Sequence, residues 1–154
     1  MSKRPCSCPA RFGFTLIELM IALAVMAILA ALAWPTLQEA VQKSRRADGM
    51  SALANIMQAQ ERWRANNPNY QDKLADLPGA EKAVSPDQHY ALAIVEGSVS
   101  ATAYTVRATA RSGSPQSSDT RCQALQVAVV GGTITYQSMS GGSLNGLPDP
   151  CWVR

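Results

Sequence analysis

A single histidine, His89, stands in the whole chain, and it has no second ligand at metal spacing. A metal centre or a nucleophile–histidine pair therefore has almost nothing to be built from, and His89 reads as a strand residue. No Gly-rich phosphate loop, Gly-x-Ser-x-Gly elbow, His-Glu-x-x-His helix or EF-hand loop occurs. Asp119, beside Ser117 and Ser118, lacks a histidine partner, and Asp149 in the tail lacks the clustered oxygens that calcium requires. The chain reads as a non-enzyme with no cofactor and no metal.

Charge is lacking over one long stretch. From Phe14 to Trp34 the only charged side chain is Glu18, and about twenty helical residues at ~1.5 Å each span the hydrocarbon core of a bilayer. A carboxylate inside such a span is disfavoured by roughly 3 kcal/mol on insertion scales, so Glu18 demands a functional reason. Lys3, Arg4 and Arg11 precede the run, which holds the N-terminus in the cytoplasm and sends the C-terminal head outward. The chain carries 14 Lys and Arg against 11 Asp and Glu, and without those three cations the balance is neutral. A secretory signal peptide would be cut after Ala31-Leu32-Ala33, but the run exceeds the usual apolar length of about 7–15 residues and contains Glu18. A plain anchor explains the length and leaves Glu18 unpaired.

Cysteine is sparse and divided, with Cys6 and Cys8 before the run and Cys122 and Cys151 after it. Two soft ligands at Cys6 and Cys8, without a partner nearby, do not make a metal site. The exported pair, Cys122 and Cys151, is expected to oxidise. Closing a loop of about 30 residues contributes roughly 3 to 4 kcal/mol in the chain-entropy account. The tail "SGGSLNGLPDPCW" is turn-forming throughout, and this bond would be its tether.

Glycine and proline are scarce from Thr36 to Ala65, where Gly49 is the one glycine. With many Ala, Leu, Gln, Glu, Arg and Met, the helix continues past the apolar run, from Phe14 to near Asn66, about fifty residues and roughly 75 Å. Met50, Leu53, Ile56, Met57, Gln60 and Trp63 recur at spacings of three and four and form its buried face, with Lys43, Arg45, Arg46, Asp48 and Arg62 mainly elsewhere. Pro35 removes one backbone donor and is expected to kink or melt the segment upstream. "NNPNYQDKLADLPG", Asn66 to Gly79, ends the helix and forms a connection with Tyr70, Leu74 and Leu77 as apolar pegs. The period then changes to two in "HYALAIVE" (89–96), "AYTVRATA" (103–110), "RCQALQVAVV" (121–130) and "TITYQS" (133–138), with Gly131-Gly132 as a hairpin signal. Four antiparallel strands packed on the amphipathic half of a long helix, an α+β fold, is the arrangement these segments support.

"GFTLIELMIALAVMAILAALAWP", with its glycine, aromatic, Thr15, Glu18 and Pro35, resembles the N-terminus of type IV pilins and their pseudopilin relatives. The "Cys-Trp" near the C-terminus and the Asn, Tyr and spaced leucines of residues 66–79 resemble the PilE-like minor pilins. The resemblance implies a leader, residues 1–13, cut between Gly13 and Phe14 by a prepilin peptidase that also N-methylates Phe14. It implies a polymerisation helix over 14–41 and a globular head over 42–154, with residues 122–151 bounded by the disulfide. Cutting creates a positive amine near Glu18 at the positive end of a helix dipole. In the family the equivalent carboxylate pairs with the amine of a neighbouring subunit, which fixes register because opposite charges attract strongly in low dielectric. The implied partners are other pilin subunits, the prepilin peptidase and N-methyltransferase, the inner-membrane assembly platform, and the membrane itself before assembly. The implied location is the inner membrane and then a pilus fibre of a Gram-negative bacterium.

Two further readings belong to other classes: a type II secretion pseudopilin, and a DNA-binding minor pilin of a competence pilus. For the latter, Arg107, Arg111 and Arg121 lie on or beside strands, and Lys73, Lys82 and Arg154 are candidates to join them. The neutral balance of the head favours a mixed solvated surface with weak, salt-labile DNA affinity. The three arginines form a row only if strand pairing brings them to one face.

Overall fold

The computed structural model describes residues 14–80 and 82–152. The leader with Gly13, the cysteines Cys6 and Cys8, and Arg154 lie outside the described residues. A first compact unit ends at Gln38 and a second begins at Glu39.

One helix, α1, runs over Leu16–Arg64. Its start is capped: the Thr15 hydroxyl oxygen accepts from the Glu18 backbone N–H at 3.3 Å, and the Leu19 N–H donates to the Thr15 carbonyl. Thr-x-x-Glu is the capping-box pattern, which occupies donors that a helix start leaves unpaired. The helix is unbroken at Pro35, so the expected melting is not seen. Proline removes a single bond, its neighbours Ala33, Leu37 and Ala40 favour helix, and the Thr36 hydroxyl donates to the Ala33 carbonyl at 2.8 Å. At the other end the Asn67 side chain donates to the Trp63 carbonyl, and Pro68 follows. The apolar part is long and apolar enough to cross a membrane.

In the second unit, α1 supplies Leu53, Ile56 and Gln60 to the core, as their spacing requires. Two charged residues expected elsewhere are buried with them, Arg46 and Asp48. Arg46, Gly49, Leu53, Ile56 and Gln60 continue the same three-and-four spacing, so the buried stripe extends one turn further than its apolar members show. Arg46 Nε donates to Asp119 Oδ2 at 2.7 Å, and Gln116 Nε2 donates to the same oxygen at 2.9 Å. The Asp48 carboxylate accepts from the Ser85 hydroxyl and from the Asp87 N–H. Gly49 lets the helix approach Tyr90: an added Cβ would lie 3.0 Å from the Tyr90 ring.

The strands β1 (Tyr90–Ile94), β2 (Ala103–Ala110), β3 (Ala124–Val130), β4 (Thr133–Ser140) and β5 (Ser143–Leu144) form one antiparallel sheet in sequence order. Five strands replace the expected four. The fifth comes from a second glycine pair, Gly141-Gly142, whose positive φ angles (56° and 84°) nearly repeat those of Gly131-Gly132 (56° and 81°). Two consecutive positive φ angles build the tight hairpin turn that matches strand twist. β3 begins at Ala124 rather than Arg121, because Pro115–Ser118 and Thr120–Cys122 are short 3-10 turns. Tyr104, Val106 and Ala108 of β2 and Leu125, Val127 and Val129 of β3 are buried with Leu53 and Ile56 in one core. Each Val, Leu and Ile among them contributes about 1.5–3 kcal/mol on full burial.

Candidate functional site

The first unit carries the assembly candidates. Phe14 is 85% exposed ahead of the helix, Glu18 lies in the first helical turn, and Pro35 sits inside the helix. The large apolar side chains from Phe14 to Leu37 are exposed, a surface that needs lipid or other helices to cover it. Glu18, as the acidic residue of the first turn, sits where the helix dipole favours a negative charge.

The C-terminal candidates are joined: Cys122 and Cys151 are disulfide-bonded with Cα atoms 5.7 Å apart. Asp149 is not isolated. Its Oδ1 accepts from the Ser138 hydroxyl at 2.7 Å and from the Cys151 N–H at 2.9 Å, so it fastens the tail to β4. Trp152 Nε1 donates to the Gln137 carbonyl at 2.7 Å, and its ring packs on Tyr136 with centroids 4.8 Å apart. His89 precedes β1 instead of lying in it, and its Nδ1 bonds to the Ser114 hydroxyl at 2.8 Å.

The three arginines are only partly brought together. Alternation along β2 puts Tyr104, Val106 and Ala108 in the core and Arg107 on the opposite, outer face. Arg111 falls on the same parity one pair beyond the strand, where its N–H donates to the His89 carbonyl and its guanidinium to the Gln88 carbonyl. Arg121 turns instead to α1 and pairs with Glu39 at 3.1 Å, both about two-thirds exposed. Such a pair contributes at most about 1 kcal/mol and is screened by salt.

Two residues that sequence reading passed over extend the outer face. Arg107, Gln126 and Gln137 are in register across β2, β3 and β4. Arg107 Nε and Nη2 both donate to Gln126 Oε1, at 3.0 and 2.8 Å, and Gln126 Nε2 donates to Gln137 Oε1 at 3.2 Å. Ala91, Ala93, Thr109 and Thr135 on the same face are exposed and small. The signal was the lone polar residue between Leu125 and Val127, but only the strand register reveals its partners.

Residues 35–126, more than half of the chain, match the family described as type IV minor pilin ComP, DNA uptake sequence receptor. Residues 8–34 match the prokaryotic N-terminal methylation motif. The first match covers the head part of α1, β1, β2 and the 3-10 turns, and with them Arg107, Arg111 and Arg121.

Proposed function

Because the chain belongs to the type IV minor pilin ComP family, we propose that it is a pilus subunit whose head captures DNA for uptake. Pilins of this kind are structural subunits that assemble with other pilins, and the methylation motif fits a membrane-anchored precursor that later enters the fibre. In this reading a prepilin peptidase cuts between Gly13 and Phe14 and methylates the new amine, Glu18 pairs with a neighbouring subunit, and an inner-membrane platform polymerises the chain. The head then faces outward, on a Gram-negative surface. The leader over 1–13, the polymerisation segment over 14–41 and the head over 42–154 are the parts this life cycle requires.

Charge balance alone favours an indifferent surface; the match over residues 35–126 reverses that order and is the observation that carries DNA capture. The outer sheet face supports it chemically. Arg107 and Arg111 supply cations for phosphate, and the buried Gln126 amide, bonded to Arg107 on one side and Gln137 on the other, holds the Arg107 guanidinium in place on that face. Small residues around the Arg107, Gln126 and Gln137 row allow a duplex to approach.

Titration of duplex DNA into the detergent-solubilised subunit at roughly 50 and 200 mM salt tests this, because each phosphate contact adds about 0.9 to the slope of log affinity against log salt. Arg107→Ala and Arg111→Ala should each weaken binding and lower that slope by about one. Binding that ignores both substitutions would remove this face as the DNA site. Absence of any binding would leave the structural-subunit role standing alone.

A further inference from the structure

The sheet extends beyond the helix that covers it. Val127 and Val129 of β3 are buried on the helix side, whereas their cross-strand partners on β4, Tyr136 and Ile134, are 47% and 45% exposed. A groove occupies the gap. One open cavity of about 560 Å3 lies among Met57, Glu61, Tyr104, Val129 and Ile134, and a second of about 200 Å3 shares Met57 and reaches Met50, Tyr136 and Trp152. The larger has the size of an ordinary ligand pocket and a mostly apolar lining with few polar groups. Beside it the Tyr104 hydroxyl is buried with no hydrogen-bond partner among the described residues. A buried, unpaired hydroxyl is unfavourable by about 1–3 kcal/mol.

The groove borders a free strand edge. β5 pairs with β4 only at Met139 and Ser140. The Asn145 N–H donates to the Ser138 carbonyl at 2.8 Å, which shows that Ser138 turns its backbone groups to the edge away from β3. Alternation turns Ile134 and Tyr136 to the same edge, and among the described residues no hydrogen bond reaches them there. Unpaired edge groups beside an apolar surface are a template for another chain.

We propose that the groove between α1 and β4 receives an extended segment of a partner protein, which adds to the β4 edge as a strand and inserts alternate side chains into the cavity. Only this occupant answers both features. A helix would fill the groove but leave the N–H and C=O groups of Ile134 and Tyr136 unpaired. A second copy joined β4 to β4 would use an edge of about five residues, too short for the roughly 1,200 Å2 that a stable interface buries. A nucleic acid has no backbone that continues the strand ladder and would leave the apolar lining of Met57, Val129 and Ile134 unmatched. In an antiparallel strand, residues opposite Tyr136 and Ile134 point into the groove and direct their own N–H and C=O groups at β4. The first meets Met50 and Trp152 and is apolar; the second enters the larger cavity and carries an amide or hydroxyl that pairs with the polar side chains lining it, Gln58, Glu61 and Arg62. This site lies on the opposite side of the sheet from the Arg107 row and does not depend on DNA capture.

The test uses the full chain in detergent and a fluorescein-labelled pentapeptide, Thr-Val-Thr-Gln-Thr amide, followed by fluorescence anisotropy. Saturable binding is expected. N-methylation of the peptide at its valine and glutamine removes both N–H donors to β4 without touching the protein, and should weaken binding about tenfold or more, as the loss of two of the four hydrogen bonds implies. Ile134→Pro, which removes one edge donor at a position where strands tolerate proline, and Met57→Trp, which narrows the groove, should each weaken it as well. Absence of saturable binding, equal binding of the N-methylated peptide, or tighter binding of an amphipathic helical peptide would overturn the proposal. So would dimerisation of the chain itself through Ile134, seen by sedimentation in place of peptide binding.

Discussion

Tyr90 shows how a single buried hydroxyl limits this head. Its ring is fully buried beside Gly49, and the buried Gln116 side chain is the group closest in effect to its hydroxyl, acting on it without completing a well-formed hydrogen bond. Burial pushes the hydroxyl from its ordinary value of 10 up to about 12, and burial raises Tyr104 in the same direction. The folded chain keeps a proton that the unfolded chain sheds above pH 10, so this contribution to stability is complete below pH 10 and is lost as pH rises towards 12. Tyr90→Phe should therefore unfold at higher pH than the parent in an alkaline circular-dichroism titration. At neutral pH it should be no less stable than the parent, because the only interaction lost is the incomplete contact with Gln116 and a buried polar group goes with it. Lower stability of Tyr90→Phe at neutral pH would mean that the hydroxyl has a partner. Gly49→Ala tests the neighbouring contact. Alanine favours helix by about 1 kcal/mol, yet its Cβ would stand 3.0 Å from a ring with no room to retreat. Thermal melting should show a net loss, and a gain would show that Tyr90 shifts easily.

Among the elements, the tail depends most on one bond. Beyond β5 it is held by the Cys122–Cys151 disulfide, the Asn145 bonds to Ser138 and the Arg121 carbonyl, the two bonds to Asp149 and the Trp152 bond to Gln137. Cys151→Ser should leave α1 and β1–β4 folded and make residues beyond Leu144 susceptible to limited proteolysis, mapped by mass spectrometry. Unchanged resistance would assign the tether to the hydrogen bonds of Asn145, Asp149 and Trp152. The regular elements were legible because their signals are local. Periods of three to four and of two gave a helix within two residues of Leu16–Arg64, the whole of β2 and the start of β4. What escaped needs a partner far along the chain. Arg46 and Asp48 looked like surface charges because their compensating groups, Asp119 and Ser85, lie tens of residues away. Arg121 looked like a strand residue of a basic row until the 3-10 turn before β3 sent it towards Glu39. β5 was the exception, since Gly141-Gly142 repeats the hairpin signal at 131–132 and was read only as tail.

For the whole molecule, the decisive residue in the proposed life cycle is Glu18, because it would be unfavourable in one state of the protein and required in the next. While the chain waits in the membrane, a carboxylate within the apolar run is disfavoured by roughly 3 kcal/mol. In the fibre, pairing with the amine of a neighbour would remove that penalty and set the axial register. Glu18→Val should therefore insert at least as well as the parent, measured in washed membrane fractions, and be depleted at least about tenfold from sheared fibres. Because Glu18 also occupies the third position of the Thr15 cap, loss of assembly by the valine variant could arise from a frayed helix start. Glu18→Gln separates the two causes: it keeps the length and hydrogen-bonding capacity that a cap uses and deletes only the charge. Exclusion of both variants from fibres assigns the role to charge pairing between subunits. Assembly of the glutamine variant at parental levels would assign it to the cap, and assembly of both would remove Glu18 from the assembly mechanism.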